Sequence, residues 1–415
     1  MNSPISGAPR WRALAAGLAL AAGATSAFAL GYDEALLLAE QRSPALQAGQ
    51  AALAGAEAAR PAASALPDPR LSLGIENLPV SGMDRGSLGA DFMTMRRIGL
   101  MQEVPNAAKR AARGESAQAR SERERASLAF ARQQLRAALA RTWLTLKFNG
   151  QRQALLAGLG EENQRLQFTL PARIAGASAQ AADLLMARQE SLALADRRDD
   201  LARDETKARA ALHRLVGPRA DETLQGEPPL AAQAPEQALQ DVAAHAELQV
   251  YPALLSEAHA ALREAEAESR GDWSWELAYS RRGAQWGDML SVQVSIDLPW
   301  QKERRQQPQI ASRLRDVERV EAEQEDALRQ HRLTLDEQLA ELAALDRQFE
   351  RQQGEGLRLA RERAALALAG YESGKADLGL VLGARRELLE AQLRAVDLDA
   401  RRSDLRAQLA YLIAE

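Results

Sequence analysis

The residues with the clearest capacity for specific chemistry are methionines in the first quarter of the chain. Four of the seven methionines fall between positions 83 and 101, namely Met83, Met93, Met95 and Met101. Thioether sulfur favours soft ions such as Cu(I) and Ag(I). Met93, Met95 and Met101 are separated by even numbers of positions, which predicts that they share one face of a strand. Methionine is also an adaptable apolar filler. The pattern therefore allows both a metal-contacting face and ordinary packing.

A catalytic centre is not indicated elsewhere in the sequence. The chain has no cysteine, and its four histidines are predicted to lie on separate helices: His213, His245, His259 and His331. We find no nucleophile–base pair and no HExxH spacing. The sequence therefore predicts neither an enzyme nor a bound cofactor. Its net charge of −4 gives no reason to expect a nucleic-acid partner.

Two stretches in which apolar and polar residues alternate are predicted to form β-hairpins. Their strands are expected over 70–77 and 92–104, and over 273–280 and 290–298. Strands of about nine or ten residues can cross a bilayer when tilted, and aromatic residues at one end suit the membrane interface. A half-buried hairpin in a water-soluble sheet is the alternative. The side chains predicted to face lipid are Leu71, Leu73, Ile75, Trp273, Trp275, Leu277, Tyr279, Leu290, Val292, Val294 and Ile296.

The N-terminus favours the membrane interpretation. Arg10 and Arg12 precede an apolar run over 13–24, and Ala27 and Ala29 supply the small residues that a signal peptidase reads. We therefore predict a secretory signal peptide over 1–29. No later apolar run reaches the roughly 18 residues of a transmembrane helix. Without cysteine, neither a disulfide framework nor a lipid-anchored N-terminal cysteine is available.

The remaining chain is predicted to be helical and duplicated. Aromatic residues make up 4% and charged residues 27% of the sequence, which is typical of long solvated coiled coils. The run Pro44-Ala45-Leu46 recurs as Pro252-Ala253-Leu254, and such matches predict internal repeats. The predicted domains are two repeats, 30–217 and 238–415, and a connector over 218–237. Helices are predicted over 33–63, over 106–173 with an end at Pro171 and Gly176, from a cap at Ser178 to Val216, and over 306–370.

The predicted strands cannot stand alone in lipid. Two hairpins supply four strands with unpaired edges, whereas membrane barrels close completely and have about eight strands or more. Several copies of the chain must therefore pool their strands, and three copies would supply about twelve. The apolar stripes of the helices are too thin for a solid core, and they suit a ring of helices packed side by side.

On these features the chain resembles the TolC-type outer-membrane factors of Gram-negative bacteria. The resemblance rests on the signal peptide, the duplicated unit of hairpin and very long helices, and the glycine-containing turns at the helix ends. The runs Ile75-Glu76-Asn77-Leu78-Pro79, Asp91-Phe92-Met93-Thr94-Met95-Arg96-Arg97 and Gln102-Glu103 look most like the heavy-metal cation branch, the CzcC- and CusC-like proteins. The resemblance implies a mainly α fold with a small membrane β part. It further implies a homotrimer with a shared barrel of about twelve strands and a helical tunnel through the periplasm.

The resemblance also implies a function, that of the passive exit duct of an efflux pump for heavy-metal cations. The duct would join an inner-membrane transporter of the RND type through a periplasmic adaptor, and it would open at its periplasmic helix ends. By resemblance, the residues of these turns that dock the adaptor or form the tip are Gly176, Ser178, Tyr371, Gly374 and Asp377. Left-handed helix caps at the two glycines and an N-cap at Asp377 are the structural alternatives.

Three other functions remain compatible with parts of this pattern. A duct of the same family could carry drugs or a secreted polypeptide, because the pump usually selects the substrate. A periplasmic coiled-coil adaptor should have one helical hairpin within β-rich domains, which the duplication argues against. A purely structural coiled coil would lack the amphipathic hairpins.

Overall fold

The computed structural model of the protein describes residues 29–177, 179–230, 242 and 245–413. The predicted signal segment up to residue 28, Ser178 and residues 231–237 of the predicted connector lie outside these ranges. The described chain is mostly helical with a small sheet part, as predicted, and none of its helices is long and apolar enough to cross a membrane. The helices and strands are β1 (Ala29–Gly31), α1 (Tyr32–Arg42), α2 (Pro44–Ser64), β2 (Arg70–Glu76), β3 (Met95–Val104), α3 (Ala107–Ala175), α4 (Ala181–Val216), β4 (Thr223–Gln225), α5 (Val250–Ala267), β5 (Trp273–Arg281), β6 (Met289–Ile296), α6 (Gln306–Arg351), α7 (Leu357–Glu372) and α8 (Leu378–Ile413).

The first predicted helix is in fact two helices. α1 ends at Arg42, and Ser43 has an extended backbone with φ −67° and ψ 112°. The Oγ of Ser43 accepts a hydrogen bond of 3.3 Å from the Leu46 N–H, so Ser43 caps α2. Pro44 follows at the first helical position, where its missing N–H costs nothing. The prediction of one helix over 33–63 is wrong because apolar periodicity continues across this cap.

The long helix α3 begins at a cap and continues through a proline. The Oδ1 of Asn106 accepts the Lys109 N–H at 2.9 Å, and the helix runs on to Ala175. The prediction that Pro171 ends the helix is therefore wrong. Proline removes one helical hydrogen bond, but the following turn still closes, since the Gly176 N–H donates to the Ala172 carbonyl oxygen at 3.1 Å.

The return helix α4 starts later than predicted. Its N-cap is Gln180, not Ser178. The Gln180 N–H donates to Asp183 Oδ2 at 2.8 Å, and the Asp183 N–H donates to the Gln180 carbonyl oxygen at 3.0 Å. An acidic side chain three residues into a helix reaches back to the cap in this way, and this signal was present in the sequence.

The long helix of the second half is interrupted. A π turn over Gln352–Gly356 separates α6 from α7. Its sequence contains Gly354 and Gly356, and glycine is a weak helix former. The Gln352 side chain donates to the Ala391 carbonyl oxygen at 2.9 Å. The long helix predicted over 306–370 is therefore present, with this π turn about three quarters of the way along it.

The two hairpins combine into a single antiparallel sheet of four strands in the order β2-β3-β5-β6. β3 pairs with β2 on one side, for example Leu73↔Ile98, and with β5 on the other, for example Ile98↔Tyr279. β3 begins at Met95 and not at residue 92 as predicted, because Asp91 Oδ1 accepts the Met93 N–H at 2.6 Å and holds a turn there. Within the described residues, β2 and β6 each have one free edge.

The chain divides into two compact units, neither of which is continuous in sequence. One unit comprises residues 29–42, 138–229 and 348–404, and the other comprises 43–137, 245–347 and 405–413. Each unit takes segments from both halves of the sequence, because segments of the two halves pack side by side within it. The sheet and its connecting loops belong entirely to the second unit.

The first unit contains a small parallel sheet that the sequence analysis did not predict. β1 pairs with β4, with Leu30 opposite Leu224, and Leu30 is fully buried. The Tyr32 ring meets the Trp143 ring edge-on at 5.3 Å, and the Trp143 Nε1–H donates to the Gly226 carbonyl oxygen at 3.1 Å. The described part of the connector is thus an ordered segment that completes the core of this unit.

Candidate functional site

The apolar residues of the four strands form one continuous face of the sheet. Side chains of residues paired across antiparallel strands project on the same side, and the register aligns Leu73, Ile98, Tyr279 and Leu290 in one row. All eleven residues predicted to face lipid lie on this face. It is open in the chain, with exposed fractions of 72% for Leu73 and 68% for Leu290.

The opposite face of the sheet is polar and contains an ion-pair network. The Arg97 guanidinium binds Glu76 at 2.6 Å and Glu276 at 2.8 Å, and so connects β2, β3 and β5. Gly99 stands beside this network, and a Cβ at that position would lie within 2.7 Å of both Ser72 Oγ and Glu276 Oε1. The absence of a side chain at Gly99 therefore leaves the space in which Glu276 reaches Arg97.

The structure separates the three methionines that the sequence placed on one strand face. Met95 and Met101 lie on the polar face of β3, whereas Met93 lies in the turn before the strand. Met101 lies six positions after Met95, which corresponds to about 20 Å along a strand. The prediction of a shared face is therefore wrong for Met93, and no single ion can touch both other sulfur atoms of one chain.

A buried polar junction holds the start of α3 against the start of β5. Asp272 Oδ1 accepts the Asn106 N–H at 2.9 Å, and Asp272 Oδ2 lies 3.2 Å from Lys109 Nζ, which also pairs with Glu268 at 3.3 Å. Burial by itself raises the pKa of the Asp272 carboxyl. The hydrogen bonds from Asn106 and Lys109 outweigh that effect, so the pKa lies below its ordinary value of 3.8.

The loops at the other end of the sheet touch each other. The backbones of Gly89 and Gly283 approach so closely that a Cβ at position 283 would overlap the Gly89 carbonyl oxygen. The rings of Phe92 and Trp286 lie beside this contact, with centroids 6.1 Å apart. The loop of the first hairpin is therefore fixed to the loop of the second.

The turn between α7 and α8 is a Schellman motif. The Lys375 N–H donates to the Gly370 carbonyl oxygen at 2.8 Å, and the Gly374 N–H donates to the Tyr371 carbonyl oxygen at 3.0 Å. Gly374 has φ 72°, the left-handed conformation that this motif requires. A Cβ at Gly374 would meet no atom within 4 Å. A side chain at position 374 would therefore extend away from the rest of the described chain.

In the turn between α3 and α4, a different residue adopts the left-handed conformation. The Ala177 N–H donates to the Ile174 carbonyl oxygen at 3.0 Å, and Ala177, not Gly176, has the positive φ of 55°. The structural counterpart of Gly374 is thus Ala177, so the left-handed cap that the sequence offered at Gly176 lies one residue later. The predicted tip residue Ser178 lies outside the described residues.

Both turns rest on one apolar cluster. Its buried members come from α3, α4, α7 and α8: Leu170, Ala187, Ala367, Leu378, Val381, Leu382 and Ala384. The Arg173 guanidinium stacks on the Tyr371 ring at 4.9 Å, and the Arg386 side chain pairs with the largely buried Glu190 at 2.9 Å. The two helical hairpins are therefore joined at their turns by apolar and charged contacts.

Two further predicted tip residues have identifiable local roles. Asp377 Oδ1 accepts the Leu380 N–H at 2.8 Å and caps α8, which is the structural alternative that the sequence offered for it. The Tyr371 hydroxyl is buried and has no hydrogen-bond partner within the residues that the structure describes. Such an unpaired group is uncommon in folded proteins.

Two histidines that the sequence placed on separate helices meet in the second unit. His245 Nδ1 lies 2.7 Å from His331 Nε2, and His331 Nδ1 lies 2.9 Å from Glu247 Oε2. Sequence reasoning missed this pair because the contact spans 86 residues. Among the described residues, no group of three or more His, Asp or Glu side chains is arranged to hold a metal ion.

The fold is shared with bacterial outer-membrane channels. The outer-membrane protein VceC of Vibrio cholerae matches with a TM-score of 0.78 and 18% identity over 92% of this chain and 95% of VceC. A membrane protein from Pseudomonas aeruginosa matches with a TM-score of 0.79 and 17% identity over 92% and 90% of the two chains. CusC matches with a TM-score of 0.70 and 16% identity over 92% of each chain.

Sequence comparison adds no relative to these structures. No protein-family model and no curated protein matches the chain. The likeness to the channels therefore consists of the fold.

Proposed function

We propose that the protein is the outer-membrane exit duct of a tripartite efflux pump in a Gram-negative bacterium. The observation that supports this most strongly is the four-stranded sheet with one open apolar face and, in the described chain, free edges on β2 and β6. Lipid would cover the apolar face, and neighbouring copies would pair with the edges. Three copies would close a barrel of about twelve strands.

In this proposal the polar face of the sheet lines the channel. The Arg97 network lies on that face, as do small and amide side chains such as Ser291 and Gln293. Such a lining lets hydrated solutes pass without a chemical step. Energy would come from an inner-membrane RND transporter, which a periplasmic adaptor would join to this protein.

The two turns are the surfaces that we propose for adaptor docking. The buried apolar side chains beneath them belong to the chain's own cluster, and an adaptor would contact backbone and polar groups together with exposed apolar side chains such as Leu380. Gly374 points into open space and offers such a surface. Ser178, Tyr371, Asp377 and the Gly176 segment belong to the same proposed surface.

The cargo that we propose is a heavy-metal cation, copper and silver or cobalt, zinc and cadmium. This part rests on the short strand motifs that resemble the heavy-metal branch. The methionines give it limited support, since Met95 and Met101 lie on the proposed lumenal face but about 20 Å apart. Drug export is the competing cargo, because the shared fold does not distinguish one cargo from another.

A growth assay with two matched glycine variants tests this proposal. The gene is deleted in its host, and growth is measured against copper, silver, zinc, cobalt, cadmium and a panel of hydrophobic drugs. We expect the intact chain to restore resistance and Gly374→Trp to fail while still forming the membrane oligomer. Gly82→Trp is the control, because Gly82 has a similar φ of 83° and equally open surroundings in a loop of the sheet.

The outcomes separate the parts of the proposal. Sensitivity to cations alone supports the heavy-metal branch, and sensitivity to drugs alone keeps the duct and removes the metal assignment. Equal behaviour of the two glycine variants would argue against docking at the turn. Absence of the intact chain from the outer membrane would argue against the duct altogether.

A further inference from the structure

Two arginines stand side by side on the apolar face of the sheet. Arg96 and Arg281 are directly paired across β3 and β5, and both are exposed. They occupy the last position of the face at the loop end, one step beyond the row of Ile98 and Tyr279. Below them the face is apolar as far as the strands continue on β2, β5 and β6.

The arginines next to them in sequence have hydrogen-bonding partners within the chain, whereas Arg96 and Arg281 have no ion-pair partner among the described residues. Arg97, on the polar face, pairs with two glutamates, and the Arg282 Nε–H donates to the Gly287 carbonyl oxygen at 2.8 Å. Neither Arg96 nor Arg281 forms an ion pair with any carboxylate that the structure describes. Asp288 lies opposite Arg281 beyond the end of β6, but its carboxylate accepts the Tyr279 hydroxyl instead. The two adjacent guanidinium groups therefore have no directly bound carboxylate among the described residues.

Such a pair works against folding unless an anion joins it. Like charges directly opposite each other on adjacent strands destabilise a sheet, and their Cβ atoms lie only about 5 Å apart. A phosphate group carries up to about two negative charges and three acceptor oxygens. Arginine forms parallel double hydrogen bonds with phosphate, so two adjacent guanidinium groups can hold one phosphate between them.

The position of the pair identifies the side of the membrane. The helices α3 and α5 adjoin the end of the sheet that contains Val104 and Trp273, so Arg96 and Arg281 lie at the end that would face outward. The nine residues of β5 place its ends about 20 Å apart along the membrane normal at a usual tilt. Long arginine side chains extend from there to the headgroup level.

From these observations we infer that Arg96 and Arg281 form a binding site for a phosphate of lipid A, the phosphorylated glycolipid of the outer leaflet. The acyl chains of the lipid lie on the apolar row of Leu73, Ile98 and Tyr279, and the phosphate bridges the two guanidinium groups. The site therefore recognises an amphiphile whose anionic group stands above its hydrocarbon. This inference rests on the proposed function, since it requires the sheet to lie in the outer membrane.

The test measures lipid retention by the intact protein. The full chain is reconstituted into phosphatidylcholine nanodiscs that contain either bisphosphorylated lipid A or the same lipid without phosphates, and retained lipid A is counted by native mass spectrometry. We expect about tenfold stronger retention of the phosphorylated lipid, as charge-assisted hydrogen bonds to phosphate predict. The double variant Arg96→Gln/Arg281→Gln should lower retention to the level of the dephosphorylated lipid.

A second double variant controls for total charge. Arg304→Gln/Arg305→Gln removes two exposed arginines that follow β6 at the other end of the sheet and should retain lipid A as the unaltered protein does. Inorganic phosphate, added at the concentration of the lipid, should not displace it; displacement would assign the site to free phosphate and overturn the inference. A heat-stable oligomer band on a gel verifies that each variant is folded.

Two remaining results would also overturn the inference, and they differ from failure of the proposed function. Equal retention of the two lipids by the unaltered protein removes the phosphate site without the need for any variant. Equal retention by the unaltered protein and the Arg96/Arg281 variant has the same meaning. A protein that does not enter nanodiscs or the outer membrane at all would instead remove the proposed function, and this inference with it.

Discussion

The sheet and the two helical turns place their apolar side chains in opposite ways. In the sheet, Val292 is 71% exposed and its face continues over four strands. At the turns, Leu170 and Val381 are 0% and 2% exposed and pack against each other's helices. The sheet is therefore incomplete without an apolar surrounding, whereas the cluster beneath the turns is buried by the chain itself. A partner at the turns meets polar and backbone groups together with exposed apolar side chains such as Phe168 and Leu380.

The largest effect is expected from Leu170→Ala in the cluster beneath the turns. Loss of a fully buried leucine should lower the free energy of unfolding of this region by about 2–5 kcal/mol. Urea unfolding followed by hydrogen exchange at α3 and α8 measures it. The control is Leu185→Ala, because Leu185 is 61% exposed. A similar cost for both variants would contradict the distinction between buried and exposed positions.

Leu277→Arg tests whether the apolar face of the sheet contacts lipid. Leu277 lies at the middle of β5, and arginine near the middle of a bilayer costs about 2–4 kcal/mol in a membrane barrel. The yield of assembled oligomer in the outer membrane should fall. Gln293→Arg, on the polar face beside Glu276, should leave the yield unchanged. If the two arginines had equal effects, the apolar face would not meet lipid.

Asp272→Asn tests the junction between the sheet and α3. The ionised carboxylate accepts charge-assisted hydrogen bonds, so the variant should lose about 1–3 kcal/mol of stability at neutral pH. Because folding lowers the pKa of Asp272 below 3.8, its contribution is complete above that pH and is lost as the pH falls through the folded-state pKa. The difference between the variant and the unaltered protein should therefore shrink below about pH 4.

Urea unfolding at neutral and acidic pH measures this difference for Asp272. The control is Asp84→Asn, which changes an exposed loop carboxylate. A difference that stayed constant down to low pH would mean that the Asp272 charge contributes nothing.

The smallest effect is expected from Ala177→Gly. Alanine in the left-handed conformation costs roughly 1–2 kcal/mol, and glycine avoids this cost. Glycine loses more backbone entropy on folding, which offsets part of the gain. The net stabilisation of the first turn should be about 0.5–1 kcal/mol. Gly374→Ala should shift the second turn by a similar amount in the opposite direction. Hydrogen exchange at the ends of α3 and α7 measures both, and destabilisation by Ala177→Gly would contradict the left-handed conformation.

The sequence predicted the sheet well because a two-residue alternation identifies a strand and its apolar face together. β2, β5 and β6 have bounds within two residues of those expected, and the face contains every residue that was predicted for it. The start of β3 was less predictable, because a single hydrogen bond at Asp91 decides where the strand begins.

Other features could not be derived from local patterns. The contact of His245 with His331 and the pairing of β1 with β4 both depend on segments far apart in sequence. The left-handed Ala177 was hidden by the adjacent Gly176, because glycine is the usual residue at such positions. The Arg96–Arg281 pair, in contrast, could have been found from the strand pattern once the register of β3 and β5 was considered.

The contact of Gly89 with Gly283 restricts which residues the second hairpin loop can accept. A side chain at position 283 would collide with the backbone of the first loop, whereas a Cβ at position 89 would make only an ordinary contact of 3.6 Å with the Gly283 Cα. The constraint therefore falls on position 283. Surface variation or an inserted epitope tag is therefore better tolerated near Gly287, where a Cβ meets no neighbouring atom, than at Gly82 or Gly86, whose positive φ disfavours a side chain. The same constraint tells a protein engineer which part of the second loop to leave untouched.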